Sequence, residues 1–121
     1  MARILIVDDS PTEIFALKRM LEDAGFQTAV ASSGEEGIEK ARREKPDLIL
    51  MDVVMPGMNG FQATRRLSKD PETAAIPIIM ITTKDQETDR IWGLRQGARD
   101  YLTKPASGAA LVGKIQGLLA E

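Results

Sequence analysis

Residues 48–60, LILMDVVMPGMNG, place a carboxylate, Asp52, directly after four apolar residues and follow it with Met55, Pro56 and Gly57. A continuous apolar run of that length suits a strand buried on both faces, the kind found in parallel sheets covered by helices. The charge at its end raises the question of what it faces. The pattern recurs along the chain. Runs at 3–8 (RILIVD), 27–31 (QTAVA), 76–82 (IPIIMIT) and 99–103 (RDYLT) join 47–52 as predicted strands, with helix-like segments between them.

The helices announce their starts and stops. In SPTE, Ser10 is a cap, Pro11 takes the first helical position and Glu13 stands where a capping box needs it. Ile14, Leu17, Leu21 and Ala24 then share one face, and Gly25 ends the helix. A second helix spans 33–44, stopped before Pro46; a third spans 59–67; a fourth spans 85–96, ended by Gly97. The last, 107–120, aligns Leu111, Ile115 and Leu118 but contains Gly108, Gly113 and Gly117. Each interior glycine costs roughly 1 kcal/mol against alanine, so this helix is expected to be the weakest. Such alternation implies an α/β fold with right-handed crossovers, in which ligands gather at the carboxyl ends of the strands.

The totals narrow the chemistry. A chain of 121 residues is expected to form one domain. With 18 acidic and 16 basic residues, the net charge of −2 favours neither nucleic acid nor membrane insertion. The opening MARILIVDDS reads as neither a signal peptide nor a span, so a cytoplasmic location is expected. The absence of Cys and His excludes disulfides, thiolate nucleophiles, Ser-His-Asp catalysis, imidazole acid-base work and ordinary zinc sites. A nucleophile here must be a carboxylate, a hydroxyl or an amine.

The strand ends carry such groups: Asp8 and Asp9, Asp52, Thr82, and Lys104 before Pro105. The strand ending at Ala31 carries none, which places it at an edge, away from the site. Taken singly, the acid pair is a turn and cap, Thr82 a strand residue and Lys104 a solvated loop charge. Their coincidence at successive strand ends makes the joint reading. Three carboxylates together repel, and a hard cation such as Mg²⁺ resolves the repulsion. Charges of −3 from the acids, +2 from the metal and +1 from Lys104 cancel. The pocket then lacks only an oxyanion. Metal, ammonium and hydroxyl are the parts that stabilise a phosphoryl group in transfer, with a carboxylate as nucleophile.

VDDS, LMDVVMPGMNG, IT and DYLTKP together resemble the motifs of bacterial response-regulator receiver domains along the whole chain. More narrowly, GFQATRRLSKDPETAAIPI and TTKDQETDRIWGLRQGARDYLTKP look like the stand-alone receivers of the chemotaxis-like pathway that controls type IV pili and twitching motility. The resemblance implies a flavodoxin-like (βα)5 fold with strand order 2-1-3-4-5. It makes Asp52 the phosphoacceptor, Asp9 a direct Mg²⁺ ligand, Asp8 a ligand through water, and the Val54 carbonyl a further ligand beside Asp52. Lys104 would pair with the phosphate. Thr82 and Tyr101 would be the switch pair, the aromatic filling space that the hydroxyl vacates. Pro105 would hold a cis bond. Where the family often has a large apolar residue, this chain has Ala106.

The implied function is a two-component signalling switch over residues 1–121, a single receiver with no output domain. It would take a phosphoryl group from a chemotaxis-type sensor histidine kinase and present the fourth helix, fifth strand and last helix to a downstream protein. It would not be a turnover enzyme. An aspartate-nucleophile phosphatase needs a second acid two residues after Asp52, where this chain has Val54; a flavin phosphate would be repelled by DDSP. A phosphorylation-independent interaction domain is the third alternative. Trp92 reads equally as a partner anchor or a half-buried packing residue.

Overall fold

A computed structural model describes residues 2–121. Its elements follow the order β1 (Arg3–Val7), α1 (Pro11–Asp23), β2 (Gln27–Ala31), α2 (Gly34–Glu44), β3 (Leu48–Met51), α3 (Gly60–Lys69), β4 (Ile78–Thr82), α4 (Glu87–Gln96), β5 (Asp100–Thr103) and α5 (Gly108–Leu119). The strands form one parallel sheet in the order β2-β1-β3-β4-β5. This is the flavodoxin-like doubly wound topology, and it puts the β1/β3 neighbours at the switch point where ligands bind.

The strict alternation of side chains along each strand divides the core in two. Leu5, Val7, Ile49, Met51, Ile78 and Met80 pack on one face with Ala41 of α2 and Ala63 and Leu67 of α3. Ile4, Ile6, Leu48, Leu50, Ile79 and Ile81 pack on the other with Leu17 and Leu21 of α1 and Leu111 and Ile115 of α5. Burial on both faces holds for β1, β3 and β4 but not for the edges: Gln27 of β2 is exposed and Thr28, Ala29 and Val30 are half-buried. β2 is therefore an edge strand, as its unreactive end implies, and its side chains are only partly covered. β5 is the opposite edge.

Several boundaries shift. β4 begins at Ile78 because Pro77 has no N–H for the ladder, although its carbonyl accepts from Ile49 N–H at 3.0 Å. α3 runs to Lys69 and α4 begins only at Glu87. Ala24 is exposed at the end of α1, and Phe26 packs against the core in its place after Gly25 turns the chain at φ +95°. Half of the expected capping box is present: Ser10 Oγ accepts from Glu13 N–H at 3.3 Å. The other half is absent, because Ser10 N–H donates to Asp8 Oδ1 at 2.9 Å and the Glu13 carboxylate turns toward Lys104.

β1 and β3 each end one residue before their aspartates, yet both residues remain tied to the sheet. Asp8 N–H donates to Ala31 O at 3.1 Å and Asp52 N–H to Val7 O at 3.0 Å. α3 then starts directly over the end of β3. A Cβ at Gly60 would stand 2.0 Å from the Asp52 carbonyl oxygen, and Gly60 N–H donates to Val53 O at 2.9 Å. At Gly113 and Gly117 of α5, by contrast, a Cβ would meet nothing within 4 Å.

These glycines give opposite expectations. Gly113→Ala and Gly117→Ala should each raise stability by about 0.5–1 kcal/mol, from helix propensity alone. Gly60→Ala should lower it by several kcal/mol, roughly the scale of severe overpacking. Urea unfolding of the three variants checks the ranking; a destabilising α5 substitution would mean that those glycines pack against something.

Candidate functional site

The expected residues converge at the carboxyl ends of β1, β3, β4 and β5. Carboxylate oxygens of Asp8, Asp9 and Asp52 lie within 4.8 Å of one another. Asp8 and Asp52 are buried, at 1% and 7% exposure, whereas Asp9 opens to solvent. Asp52 Oδ1 accepts from Val53 N–H at 2.9 Å, a contact within the turn that orients the carboxylate. Val54, in the loop that follows, is 56% exposed, so its side chain adds nothing to the core.

Lys104 follows β5 directly, and its N–H donates to Thr82 O at 2.7 Å. The Lys104–Pro105 peptide is cis, as expected. Lys104 Nζ lies 3.0 Å from Asp8 Oδ2, 3.4 Å from Glu13 Oε2 and 3.8 Å from Asp52 Oδ1. Its principal partner is thus Asp8, with Asp52 at the limit of an ion pair. Glu13 is the site residue that the sequence reading missed. SPTE accounted for it as a cap, and only its position one turn into the helix after the acid pair hinted that it could reach the strand ends.

The balance of charge is visible in the ionisation of the groups. Burial, reinforced by the charge of Asp8, pushes the Asp52 carboxyl up to about 6, although Lys104 and the Val53 N–H act against the shift. Burial alone would lower the Lys104 ammonium, but the Asp8 hydrogen bond and the charges of Asp52, Asp8 and Glu13 outweigh it and hold the group above its ordinary value. The three carboxylates offer only hard oxygen donors and carry excess negative charge. Their chemistry therefore fits Mg²⁺.

Thr82 is wholly buried at the end of β4, where its Oγ accepts from Lys84 N–H at 3.3 Å. Tyr101, on β5, is already inward, 7% exposed, and its hydroxyl donates to Lys84 O at 2.8 Å. Burial, with the charges of Asp89, Asp52 and Asp85, pushes that phenol up to about 12, so it remains a donor at neutral pH. α4 lies close over the ring: a Cβ at Gly93 would stand 2.7 Å from Met80 Sδ and 3.1 Å from Tyr101 Cδ2. Trp92, beside it, is 50% exposed and packs into neither core cluster. Ala106 packs against the α1/α5 core and leaves a cavity of about 410 Å³ beside Glu13, Met20 and Lys104.

The family model for the response regulator receiver domain matches residues 4–116. The chain belongs to the response-regulator receiver family. This receiver is 63% identical over 120 residues to protein PilH of Pseudomonas aeruginosa, covering 99% of both chains. It is 42% identical over 117 residues to the response regulator PleD of Caulobacter vibrioides, covering 97% of this chain but only 26% of that relative. It superposes with a TM-score of 0.92 on the receiver domain of the sensor histidine kinase PA1611 from Pseudomonas aeruginosa, at 31% identity over 99% of this chain and 98% of that one. In that crystal structure a magnesium ion is coordinated in the active-site cleft. No helix among the described residues of the receiver is long and apolar enough to cross a membrane.

The raised Asp52 carboxyl has a consequence for stability. Its pKa in the fold lies above the ordinary 3.8, so the folded state favours the protonated form. In metal-free protein this contribution is present below about pH 4 and is lost as pH rises through about 6. The ionised group then costs the fold about 3 kcal/mol, on the scale of 1.4 kcal/mol per pKa unit. Asp52→Asn should therefore stabilise metal-free protein by about that amount at pH 7 and by almost nothing at pH 3.5. Chemical denaturation in EDTA at both pH values measures the difference, and equal gains at both would contradict it.

Proposed function

We propose that this receiver accepts a phosphoryl group on Asp52 from the phosphohistidine of a chemotaxis-type sensor histidine kinase and signals by contact with another protein. The observation that carries the proposal is the convergence of Asp8, Asp9 and Asp52 oxygens within 4.8 Å, with Lys104 beside them, on a chain that has no His or Cys. Asp9, Asp52 and the Val54 carbonyl would bind Mg²⁺ directly and Asp8 through water. When bound, the metal supplies positive charge to the phosphoryl oxygens.

In the transfer an Asp52 oxygen attacks phosphorus, the phosphorus–nitrogen bond of the donor breaks, and the imidazole leaves with the electron pair. Lys104 stands at 3.8 Å from Asp52 to meet the new charge. The Thr82 hydroxyl ends the neighbouring strand and supplies a donor to the phosphate oxygens. The face formed by α4, β5 and α5 would carry the result to a downstream target. Such a protein promotes only its own phosphorylation and dephosphorylation and is not a turnover enzyme. Its motifs and its 63% identity to PilH support a role in the chemotaxis-like control of type IV pili and twitching motility. The match spans 99% of this chain and 99% of PilH, which supports reading the matched residues as one receiver domain.

One observation favours a second reading. Tyr101 is buried with its hydroxyl donating to Lys84 O at 2.8 Å, an inward position that an interaction domain with a surface set independently of phosphorylation would also hold. The two readings part on partner affinity. In the switch, the phosphorylated form must bind more tightly, since a ligand shifts an equilibrium only by preferring one state.

Incubation with Mg²⁺ and a small acyl phosphate should add the mass of one phosphate, and Asp52→Ala should abolish the gain while leaving the fold intact. Acid-labile modification persisting in that variant would move the nucleophile elsewhere. Thr82→Ala should still be phosphorylated but should lose most of the affinity difference between the two forms for the downstream target. An undiminished difference, with phosphorylation confirmed by mass, would remove Thr82 from the switch.

A further inference from the structure

The outward face of α3 gathers three cations with no acid on the same helix. On α1, α2 and α4 several surface cations are answered within a turn, as in Lys18–Glu22 at 2.9 Å, Lys40–Glu36 at 3.6 Å, Arg43–Glu39 at 3.0 Å and Arg90–Glu87 at 3.3 Å. α3, GFQATRRLSK, contains no acid. Its Arg65, Arg66 and Lys69 are all exposed, and Arg65 and Lys69 oppose like charges at i,i+4, an arrangement that weakens a helix. The two acids that follow are already paired: Asp70, which lines the same groove, with Arg42 at 3.1 Å, and Glu72 with Lys45 at 3.3 Å.

These cations border a cavity of about 840 Å³ between α2 and α3, with Ile38, Met58 and Arg42 on its other sides. Attraction to the carboxyl end of the helix dipole accounts for Arg66 and Lys69 in the last turn. It does not account for Arg65, nor for an apolar surface among the charges. The volume lies within the range of small-molecule sites, roughly 300–1,000 Å³. The cavity shares no residue with the Asp8, Asp9 and Asp52 cluster.

We propose that this groove binds a nucleoside polyphosphate, its phosphates held by Arg65, Arg66 and Lys69 and its base laid on Ile38 and Met58. Planar guanidinium groups match phosphate oxygens two at a time, whereas a carboxylate-rich protein segment has no need of the apolar floor. A bare polyanion would leave that floor uncovered.

The test uses the full chain in EDTA, so that no metal carries phosphates to the aspartate cluster, with ATP as the probe. Calorimetry gives the affinity, and the methyl resonance of Met58, assigned through Met58→Leu, reports the place. Saturable binding should move that resonance. The double variant Arg65→Gln with Lys69→Gln should weaken binding by about tenfold or more, the expected scale for two charge-assisted contacts. Both are exposed side chains, and circular dichroism verifies that the helix remains. Pyrophosphate should bind at least about tenfold more weakly than ATP, since it cannot use the apolar floor. The proposal is overturned if ATP fails to saturate at millimolar concentration, or if the double variant binds as well as the parent. Pyrophosphate binding as tightly as ATP, or poly-L-glutamate displacing it at equal charge, would also overturn it by reassigning the groove to a bare polyanion or an acidic protein segment.

Discussion

Mutual repulsion among Asp8, Asp9 and Asp52 is the constraint around which this receiver is built. A carboxylate cluster held within 4.8 Å does not persist unless the backbone forbids retreat. Here it does: Asp8 and Asp52 are fixed by N–H bonds to Ala31 and Val7 immediately beyond their strands, and a central parallel sheet leaves those strands no freedom to slide. The apolar residues behind them, Ile4 to Val7 and Leu48 to Met51, are among the most buried in the chain. The hydrophobic effect thus keeps the charges together, and the raised Asp52 carboxyl records the cost, from burial first and the charge of Asp8 second. Lys104 offsets part of that cost from the far edge of the sheet.

The sheet's two faces divide the work. α1 and α5 cover one side with Leu17, Leu21, Leu111 and Ile115, and Glu13 of α1 brings an additional acid to Lys104. α2 and α3 cover the other, and the start of α3 rests on the Asp52 carbonyl through Gly60. The site is consequently bounded by helices from both layers, although every group proposed to meet the phosphate lies at or just beyond a strand end.

Much of this was legible in the sequence because the signals were local. Apolar runs ending in Asp, a Pro at a helix start and Gly after a helix end each depend on a few neighbouring residues, and the five strands and five helices all followed from them. The strand order came from family resemblance, since no local signal fixes which buried strands are neighbours. Glu13 was misread in part because one side chain can serve two geometries: its N–H is capped by Ser10 as expected, but the carboxylate responds to a lysine 91 residues distant in sequence. The inward position of Tyr101 was likewise hidden, because it depends on Gly93 allowing α4 to approach and on the Lys84 carbonyl accepting the phenol. The unreactive end of β2 did place it at the edge, but its apolar run read as buried on both faces, and the half-covered side chains follow from that edge position.

The close seating of α4 has an optical consequence. The chain has one tryptophan and one tyrosine, and Trp92 is bonded to the glycine that touches the Tyr101 ring. Trp92 is half in solvent, on a helix whose inner side rests directly on Tyr101, the aromatic that the family resemblance implies for the switch. Indole emission is sensitive to hydration, so any displacement of α4 over Tyr101 is reported by a single intrinsic fluorophore, with no label and no second tryptophan to obscure it. The molecule carries its own spectroscopic gauge on the face through which it would address a partner.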